Sequence, residues 1–405
     1  MADDLGYGDI GCYGNKDINT PWLDCLASRG MRFTDFHSNG AVCSPTRAAL
    51  MTGRYQQRTG INGVMTAARH RHTGMDLGEV TFAEVLKKAG YATGLFGKWH
   101  LGYDAAFNPV RQGFDEFTGY VSGNVDYFLH IDQEGFEDWW KREKLTPEKG
   151  YSTDLITEHG LHFIERHQDK PFCLYLAHEA PHYPYQGSND KAIRSVESVG
   201  ALKGLGNDRE SVYKEMIEAM DSGIGIIVRK LQQLHLDENT LVFFCSDNGP
   251  GSIGSPGRLR GRKGDLFEGG HRVPAIAYWP GIVKADTICR QTVMTMDLFP
   301  TMVSLAGERS GESLNLDGVD ISLVLTAGGQ LSQRNLFWKH GKSMAVRDDK
   351  WKLIAQKDSL MLFDLETDLA EKHDVAEKCP AVTKRLYEKL LQWKKEVEAG
   401  VDARS

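Results

Sequence analysis

The sequence lacks any apolar stretch close to the roughly 20 residues that a membrane-spanning helix requires, so no membrane span is predicted. It also lacks a basic tract of the kind that binds nucleic acid. Its 48 lysines and arginines are outnumbered by 55 aspartates and glutamates, which gives a net charge of −7. We therefore expect no nucleic-acid partner, and an anionic substrate would need positive charge gathered locally in a pocket.

The seven cysteines form no C-x-x-C pair, which argues against a zinc ribbon or a thioredoxin-like redox motif. Because seven is odd, at least one thiol stays unpaired, and the redox compartment is not defined. No signal peptide, internal repeat or low-complexity linker is visible, and nothing sets an oligomeric state. With 405 residues, 41% apolar and 25% charged, the chain is typical of a globular protein.

Apolar runs alternate with amphipathic stretches over the first three quarters of the chain. Residues 91–96, 171–177 and 240–245 are predicted as buried strands. Residues 81–90, 152–167 and 208–234 are predicted as helices; Thr81 and Glu84 form a capping box, and Gly223 and Gly225 weaken the third helix. The pattern predicts an α/β fold with a large mixed, mostly parallel sheet sandwiched by helices.

The pattern changes near residue 310. Short apolar runs at 335–340, 343–347, 351–354 and 360–365 predict a small antiparallel sheet, and an amphipathic helix at about 380–398 can cover one of its faces. We therefore predict a catalytic domain over residues 1–310 and a C-terminal subdomain over residues 311–405.

Cys43 is the first residue of a Cys-x-Pro-x-Arg pattern that indicates a candidate reactive or anion-binding site. Pro45 suits the first turn of a helix, so Cys43 would precede the helical amides, and Arg47 adds a cation one turn on. That environment favours an anionic nucleophile or an anionic substrate. The alternative is that Cys43 is a small buried apolar residue.

Other chemistry-bearing residues sit near predicted strand ends, where α/β sheets bind ligands. Asp3, Asp4, Asp247 and Asn248 offer only oxygen ligands, which favours calcium or magnesium over zinc or copper, although a solvated loop and an ordinary turn are alternatives. Cationic and imidazole side chains that could face an anion occur in three more segments: Lys98, His100, His178, His182 and Lys263.

Three runs carry a resemblance to a known family: CSPTRAALMTGR at 43–54, GYATGLFGKWHLG at 90–102 and FEGGHRVPA at 267–275. They resemble the formylglycine-dependent (type I) sulfatases of the alkaline-phosphatase-like superfamily. The chain is most similar to the arylsulfatase A and N-acetylgalactosamine-6-sulfatase branch and to bacterial carbohydrate sulfatases. The resemblance implies hydrolysis of a sulfate monoester, with a sulfated carbohydrate as the expected substrate and inorganic sulfate as a product.

The resemblance also assigns roles to individual residues. A separate maturation enzyme would oxidise Cys43 to formylglycine, whose hydrate is the nucleophile and forms a covalent sulfoenzyme intermediate. One calcium ion, or magnesium, would be held by residue 43 together with four further residues: Asp3, Asp4, Asp247 and Asn248. Arg47 and Lys98 would steady the formylglycine and the sulfate, and His100 would deprotonate the hydrate. His182 would protonate the leaving oxygen, and Lys263 would bridge the sulfate and the leaving group.

Substrate contacts outside the sulfate pocket are expected from the loop after Gly119, where aromatic and polar residues suit a sugar: Asn124, Asp126, Tyr127 and His130. His178 has no counterpart among the family's motifs and is interpreted as structural. Trp139 and Trp140 are interpreted as core packing.

One departure from the family pattern leaves alternatives open. Only Met1 and Ala2 precede Asp3, where the family has an apolar strand, so we expect the two aspartates at a chain end that frays. The alternatives are an inactive relative that binds sulfated glycans, a phosphodiesterase or phosphonate monoester hydrolase, and a thiol–metal site at Cys43. Although no signal peptide is visible, the resemblance implies a periplasmic, secreted or lysosomal location.

Overall fold

The computed structural model describes residues 1–196, 208–308 and 314–399. Its strands are β1 (Met31–Phe33), β2 (Phe36–His37), β3 (Ala92–Lys98), β4 (Glu116–Tyr120), β5 (Trp140–Lys141), β6 (Lys144–Leu145), β7 (Phe172–Ala177), β8 (Val242–Cys245), β9 (Ala275–Tyr278), β10 (Thr287–Cys289), β11 (Val293–Met294), β12 (Asn335–His340), β13 (Ser343–Asp348), β14 (Trp351–Gln356) and β15 (Ser359–Asp364). Its helices are α1 (Pro21–Ser28), α2 (Cys43–Thr52), α3 (Ala67–His70), α4 (Phe82–Lys88), α5 (Ser152–His167), α6 (Arg209–Gln233), α7 (Glu268–His271), α8 (Leu298–Leu305), α9 (Ser322–Ala327) and α10 (Pro380–Glu398).

The main sheet is built from two groups of strands, in the orders β6-β5-β4-β3-β7 and β8-β9-β1-β10. Strand β3 runs parallel to both β4 and β7, whereas β8 and β9 are antiparallel. Helices α5 and α6 pack on this sheet through buried apolar residues. The predicted mixed α/β sheet between helices is confirmed.

Met1 and Ala2 join the two groups of strands. The Met1 amino group donates to the carbonyl oxygen of Leu176 in β7 (2.8 Å), and the Ala2 amide donates to the carbonyl oxygen of Cys245 in β8 (2.9 Å). The two aspartates that follow are buried. The expectation that they fray is therefore wrong, because partners far along the chain hold this segment on both sides.

The helices predicted from apolar periodicity and caps are confirmed as α4, α5, α6 and α10, and the capping box of α4 forms as expected. The glycines inside α6 mark close approaches. A Cβ atom on Gly225 would lie 2.3 Å from the Trp22 ring, and one on Gly223 would lie 2.4 Å from Thr157 Oγ1. These glycines let neighbouring elements pack against α6.

The C-terminal sheet is the predicted antiparallel one, in the order β12-β13-β14-β15. The face that carries Phe337, Leu353 and Leu362 packs under α10, where the Phe337 ring stacks on Trp393 at 5.0 Å. Trp338 lies on the opposite face, where its ring stacks on His271 at 4.3 Å and its Nε1 donates to the carbonyl oxygen of Ser38. Helix α9 packs with α8 in the main core. The predicted division at residue 310 lies outside the described residues and stays a prediction.

The structure also bears on two features that the sequence analysis considered, a membrane span and the pairing of the cysteines. Within 1–196, 208–308 and 314–399, no helix is both long and apolar enough to cross a membrane. All seven cysteines are free thiols.

The C-terminal core yields a stability prediction. Leu353→Ala removes a side chain that is 0% exposed, and we expect a loss of about 2–5 kcal/mol in the free energy of unfolding, measured by urea denaturation. Leu323→Ala is the control, because Leu323 is 67% exposed and its truncation leaves little cavity. Similar losses from both variants would contradict the assigned packing.

Candidate active site

The ends of three neighbouring strands and of the Met1–Ala2 segment meet at one edge of the sheet. Strand β3 ends at Lys98, β7 ends before the His178–His182 segment, and β8 ends before Asp247. The carboxyl ends of parallel strands share an edge, and ligands bind there. A cleft of about 470 Å³ opens at this edge, and the predicted site residues that line it are Asp4, Cys43, His100, His182 and Lys263.

Residue 43 lies at the floor of the cleft. It is the first residue of α2, whose residues are all buried, and its side chain is 1% exposed. The Cys43 thiol lies 3.3 Å from Asp3 Oδ1, to which it donates, and Lys263 Nζ donates to Sγ at 3.3 Å. Burial and the Asp3 charge raise the pKa of the thiol despite Lys263 and Lys98. For the unmodified residue this pKa shift argues against an anionic nucleophile, and the other expectation, an anionic substrate, stays a prediction.

Buried ion pairs surround Asp3 and Asp247. Lys98 Nζ pairs with Asp3, and Arg47 Nη2 lies 2.8 Å from Asp247 Oδ2 and 3.6 Å from Asp3 Oδ2. Burial alone would raise the pKa of Asp3, but Lys98, His182 and Arg47 lower it below its usual range. Burial and the neighbouring Asp3 charge raise the pKa of Asp247 to about 6. The cations therefore hold closely spaced carboxylates in one cluster.

Asp4 and Asn248 complete an oxygen-rich cluster. Asn248 Nδ2 donates to Asp4 Oδ1 at 2.7 Å, and Asn248 Oδ1 is buried with no hydrogen-bond partner among the described residues. Ligand atoms of Asp3, Asp4, Cys43 and His182 lie within 4.8 Å of one another. The unpaired amide oxygen and the carboxylates fit a hard divalent cation.

Two histidines of the site have defined neutral forms. His100 Nε2 donates to the carbonyl oxygen of Met65 at 2.7 Å, which leaves Nδ1 with a free lone pair and no partner within the described part of the chain. His182 Nδ1 donates to the carbonyl oxygen of Tyr183 at 2.5 Å. Burial and Lys98 lower the pKa of His100 well below its usual range, and burial and Lys263 lower that of His182 to about 4.

His178 lies outside the cleft, beside Met1, whose carbonyl oxygen accepts from the His178 amide at 3.0 Å. Its ring is buried and makes no hydrogen bond among the described residues. Burial and the nearby amino terminus lower its pKa to about 3. The ring packs beneath the Met1–Ala2 junction as a neutral group.

Of the four predicted substrate contacts, which all lie in the described part of the chain, only Asn124 lines the cleft. Asp126 accepts hydrogen bonds from backbone amides of its own loop and of residues 193 and 194. Tyr127 donates to the carbonyl oxygen of His182 (2.9 Å), and the His130 ring stacks on Trp139 at 4.1 Å. These three predictions are wrong, because the side chains hold the loop and the His182 segment together. Trp139 is buried in the core, as predicted.

Several residues that line the cleft were not predicted from the sequence: Met65, Tyr103, Gln133, Glu134, Tyr183 and Arg262. Most of them belong to loops without a recognisable motif. Tyr183 had one signal, since it directly follows His182 on a segment after a buried strand. The geometry brings together all of the predicted catalytic and metal-binding residues, including those that lie beneath the cleft: Asp3, Arg47, Lys98, Asp247 and Asn248.

Comparisons with known proteins agree with this geometry. The sulfatase family model matches residues 1–308, and the model described as N-sulphoglucosamine sulphohydrolase, C-terminal, matches residues 262–396. The chain is 36% identical to N-acetylgalactosamine-6-sulfatase of Canis lupus familiaris over 378 residues, covering 87% of this chain and 70% of that protein. It is also 36% identical to Homo sapiens arylsulfatase A over 373 residues, covering 84% and 69%.

A solved structure shares the whole architecture. Ps i-CgsB in complex with k-i-k-neocarrahexaose superposes with a TM-score of 0.87 at 30% identity, covering 97% of this chain and 91% of that chain. The alkaline-phosphatase-like fold implied by the sequence is thereby confirmed. The matched models and relatives together show that the chain belongs to the sulfatase family and is an arylsulfatase-type enzyme that hydrolyses sulfate esters.

Proposed function

We propose that this sulfatase releases inorganic sulfate from a sulfated carbohydrate, with a formylglycine hydrate at position 43 as the nucleophile. One observation carries the proposal: Cys43 lies at the floor of an open cleft, in contact with both the Lys263 ammonium and the Asp3 carboxylate. N-acetylgalactosamine-6-sulfatase and a sulfatase-like structure bound to a neocarrahexaose are relatives, which supports a carbohydrate as the organic part.

The charges of the site suit an anionic ester. Three aspartates (Asp3, Asp4, Asp247) and three cations (Arg47, Lys98, Lys263) balance to zero, and a divalent cation would make the site positive. Attack on sulfur pushes negative charge onto the peripheral and leaving oxygens. Fixed positive charge directed at those oxygens is usually the largest single contribution to lowering the activation barrier.

Residue 43 requires a modification for this chemistry. A maturation enzyme would oxidise Cys43 to formylglycine, whose hydrate supplies one oxygen to attack sulfur and a second hydroxyl whose deprotonation expels sulfate and restores the aldehyde. We assign the removal of that second proton to His100, and the free lone pair on its Nδ1, with the Nε2 proton held by the carbonyl oxygen of Met65, supports this role. Arg47 and Lys98 hold the charged groups beneath residue 43.

His182 and Lys263 face the open side of the cleft, where the leaving oxygen would lie. We assign the delivery of the leaving-group proton to His182, whose Nε2 must first take up a proton beside Asp4 Oδ2 (3.6 Å). We assign the bridging of sulfate and leaving oxygen to Lys263. Tyr127 fixes the backbone of His182, and Asp4 fixes the Lys263 ammonium at 2.6 Å.

A calcium ion fits the oxygen cluster, with magnesium as the alternative. Asp3, Asp4, Asn248 and Asp247, with residue 43, would hold it, and it would supply positive charge next to the nucleophile. The unpaired Oδ1 of Asn248 is the observation that supports this assignment.

Asn124 is our candidate for contact with the organic part of the substrate. Arg194 donates to Asn124 Oδ1 at 2.5 Å, and because arginine has only donors, the Asn124 amide must turn its NH₂ group away from Arg194. Because Asn124 lines the cleft, we infer that this NH₂ group is a donor available to a sugar hydroxyl or ring oxygen. A periplasmic, secreted or lysosomal location, which the resemblance implies, stays a prediction.

Cys43→Ala tests the nucleophile. We expect hydrolysis of 4-nitrophenyl sulfate to fall by at least about a thousandfold, because no other group in the site can take over the covalent step. Cys25→Ala, which changes another free thiol outside the cleft, should retain full activity. Mass spectrometry of the peptide containing residue 43 provides the second measurement. Full activity with an intact thiol would refute the mechanism.

The rival reaction is tested with the same enzyme preparation. A sulfatase should hydrolyse 4-nitrophenyl sulfate with a higher kcat/KM than bis(4-nitrophenyl) phosphate. The reverse order would favour the phosphodiesterase alternative.

Asp4→Ala tests the metal site. Calcium at 100 times its dissociation constant should stabilise the wild-type protein by about 2.7 kcal/mol, seen as a rise in thermal midpoint. Asp4→Ala should lose this increment, whereas Asp17→Ala, at an exposed carboxylate, should keep it. Titration calorimetry with calcium and magnesium then identifies the preferred ion. Unchanged calcium binding in Asp4→Ala would contradict the assignment.

Asn124→Asp tests the substrate contact. The new carboxylate would pair with Arg194 and present an acceptor where the sugar needs a donor. We expect the KM for a sulfated saccharide, N-acetylgalactosamine 6-sulfate or a carrageenan oligosaccharide, to rise about tenfold, more than that for 4-nitrophenyl sulfate. Asn189→Asp, at an exposed site, is the control. Equal effects on both substrates would show that Asn124 does not contact the sugar.

A further inference from the structure

Lys263 is held differently from the other cations of the site. Arg47 lies in α2 and Lys98 ends β3, and both side chains are buried, whereas Lys263 lies on an irregular segment and its side chain is 21% exposed. Near the cleft this segment is fixed by two backbone hydrogen bonds, from the Lys263 amide to Pro250 (3.0 Å) and from the Gly264 amide to Ala41 (2.8 Å). Lys263 also pairs with Asp4 at 2.6 Å, and Arg262 Nη1 donates to the carbonyl oxygens of Gly251 (3.0 Å) and Gly254 (2.6 Å). What holds the two ends of the segment is the remaining contribution to its position.

Both ends of the segment are bound by the C-terminal part of the chain. Glu371 accepts from the Glu268 amide through Oε2 at 2.6 Å, and its carbonyl oxygen accepts from Arg260 Nη1 at 2.6 Å. Lys352 Nζ, from β14, lies 2.8 Å from Glu268 Oε1 and 2.9 Å from Glu371 Oε1. Residues 260 and 268, which flank Lys263, are thus both tied to residues beyond 350.

The carboxylates and the ammonium of this cluster are completely buried: Lys352, Glu268 and Glu371 are each 0% exposed. Burial raises the pKa of Glu371 to about 7. For Glu268 burial acts in the same direction, but Lys352 and nearby cations hold its pKa well below the usual range. A buried ammonium between two carboxylates tolerates little displacement, because each group that loses its partner is left unsolvated.

Glu268 also lies near His37 and His271, with ligand atoms close enough for a metal ion. The cluster is already neutralised by the chain itself. Lys352 Nζ lies 3.1 Å from His271 Nε2. The His37 and His271 rings are hydrogen-bonded to each other through their Nδ1 atoms at 2.9 Å. An ammonium occupies the space that a cation would need, so this cluster is structural.

We propose that Lys352 and Glu371 are positioning residues that place the Lys263 ammonium beside residue 43. Neither residue lines the cleft, so each acts through the 260–268 segment rather than on substrate. The inference rests on the proposed role of Lys263 and adds that the C-terminal sheet takes part in catalysis through it.

A double-mutant cycle tests the proposal in the full-length enzyme. Lys352→Met should lower kcat/KM for 4-nitrophenyl sulfate at least tenfold in the wild-type background. Activity is measured at a temperature well below the thermal midpoint of the variant. In a Lys263→Ala background the same change should alter kcat/KM less than twofold, since the group being positioned is gone. Lys352→Arg, which keeps the charge, should restore part of the activity.

Arg334→Met is the matched control. Arg334 also joins the C-terminal part to a buried carboxylate, Asp297, at 2.7 Å, but it does not contact the 260–268 segment. It should lower the thermal midpoint and leave kcat/KM within twofold. If Lys352→Met does not fold, Glu371→Gln, which keeps an acceptor for the Glu268 amide, replaces it in the cycle with the same expected coupling.

The outcomes separate the two claims. Equal losses with and without Lys263, or no loss in the wild-type background, would overturn the positioning role while leaving sulfate ester hydrolysis untouched. Full activity of Lys263→Ala would instead refute the role proposed for Lys263, and the positioning role would fall with it.

Discussion

The structure depends on a balance of buried charges at the edge of the main sheet. Asp3 and Asp247 are fully buried between Arg47 and Lys98, and each of these charges would cost several kcal/mol if left unpaired in the interior. Side chains from the residue after the Met1–Ala2 segment, from α2, from the end of β3 and from the loop after β8 must therefore meet in one arrangement. The same arrangement leaves residue 43 facing the cleft, so the requirement for charge balance also fixes the position of residue 43, our proposed nucleophile.

Local signals in the sequence were sufficient to predict much of the fold. Helices α5 and α10 have the predicted limits because apolar periodicity and helix-end residues act within a few turns. Strand limits were less accurate: β14 continues to Gln356, two residues beyond the prediction, because its pairing with β13 and β15 continues. Pairing is decided by neighbours in space, which an apolar run along one strand does not reveal.

The predicted site residues came together because their motifs follow strand ends, which the fold gathers at one edge. The residues that could not be predicted act over long separations. The amino group of Met1 bonds to Leu176, 175 residues away, so reasoning along the chain suggested a free end where the sheet provides partners. Likewise, nothing in the sequence near Asn124 indicates that Arg194, 70 residues on, fixes its amide.

The same reasoning explains why a sulfate pocket would involve a separate antiparallel sheet. A lysine on an irregular segment has many accessible conformations, and ordering its side chain and backbone costs conformational entropy. Arg47 and Lys98 avoid most of this cost because α2 and β3 already fix their backbones. For Lys263 this entropy is offset by the Asp4 ion pair, by the backbone hydrogen bonds near the cleft, and by contacts at Arg260 and Glu268. The C-terminal sheet and the loop after it provide the last two contacts. A rigid second sheet thus allows one cation to stay accessible to substrate and still be held in place.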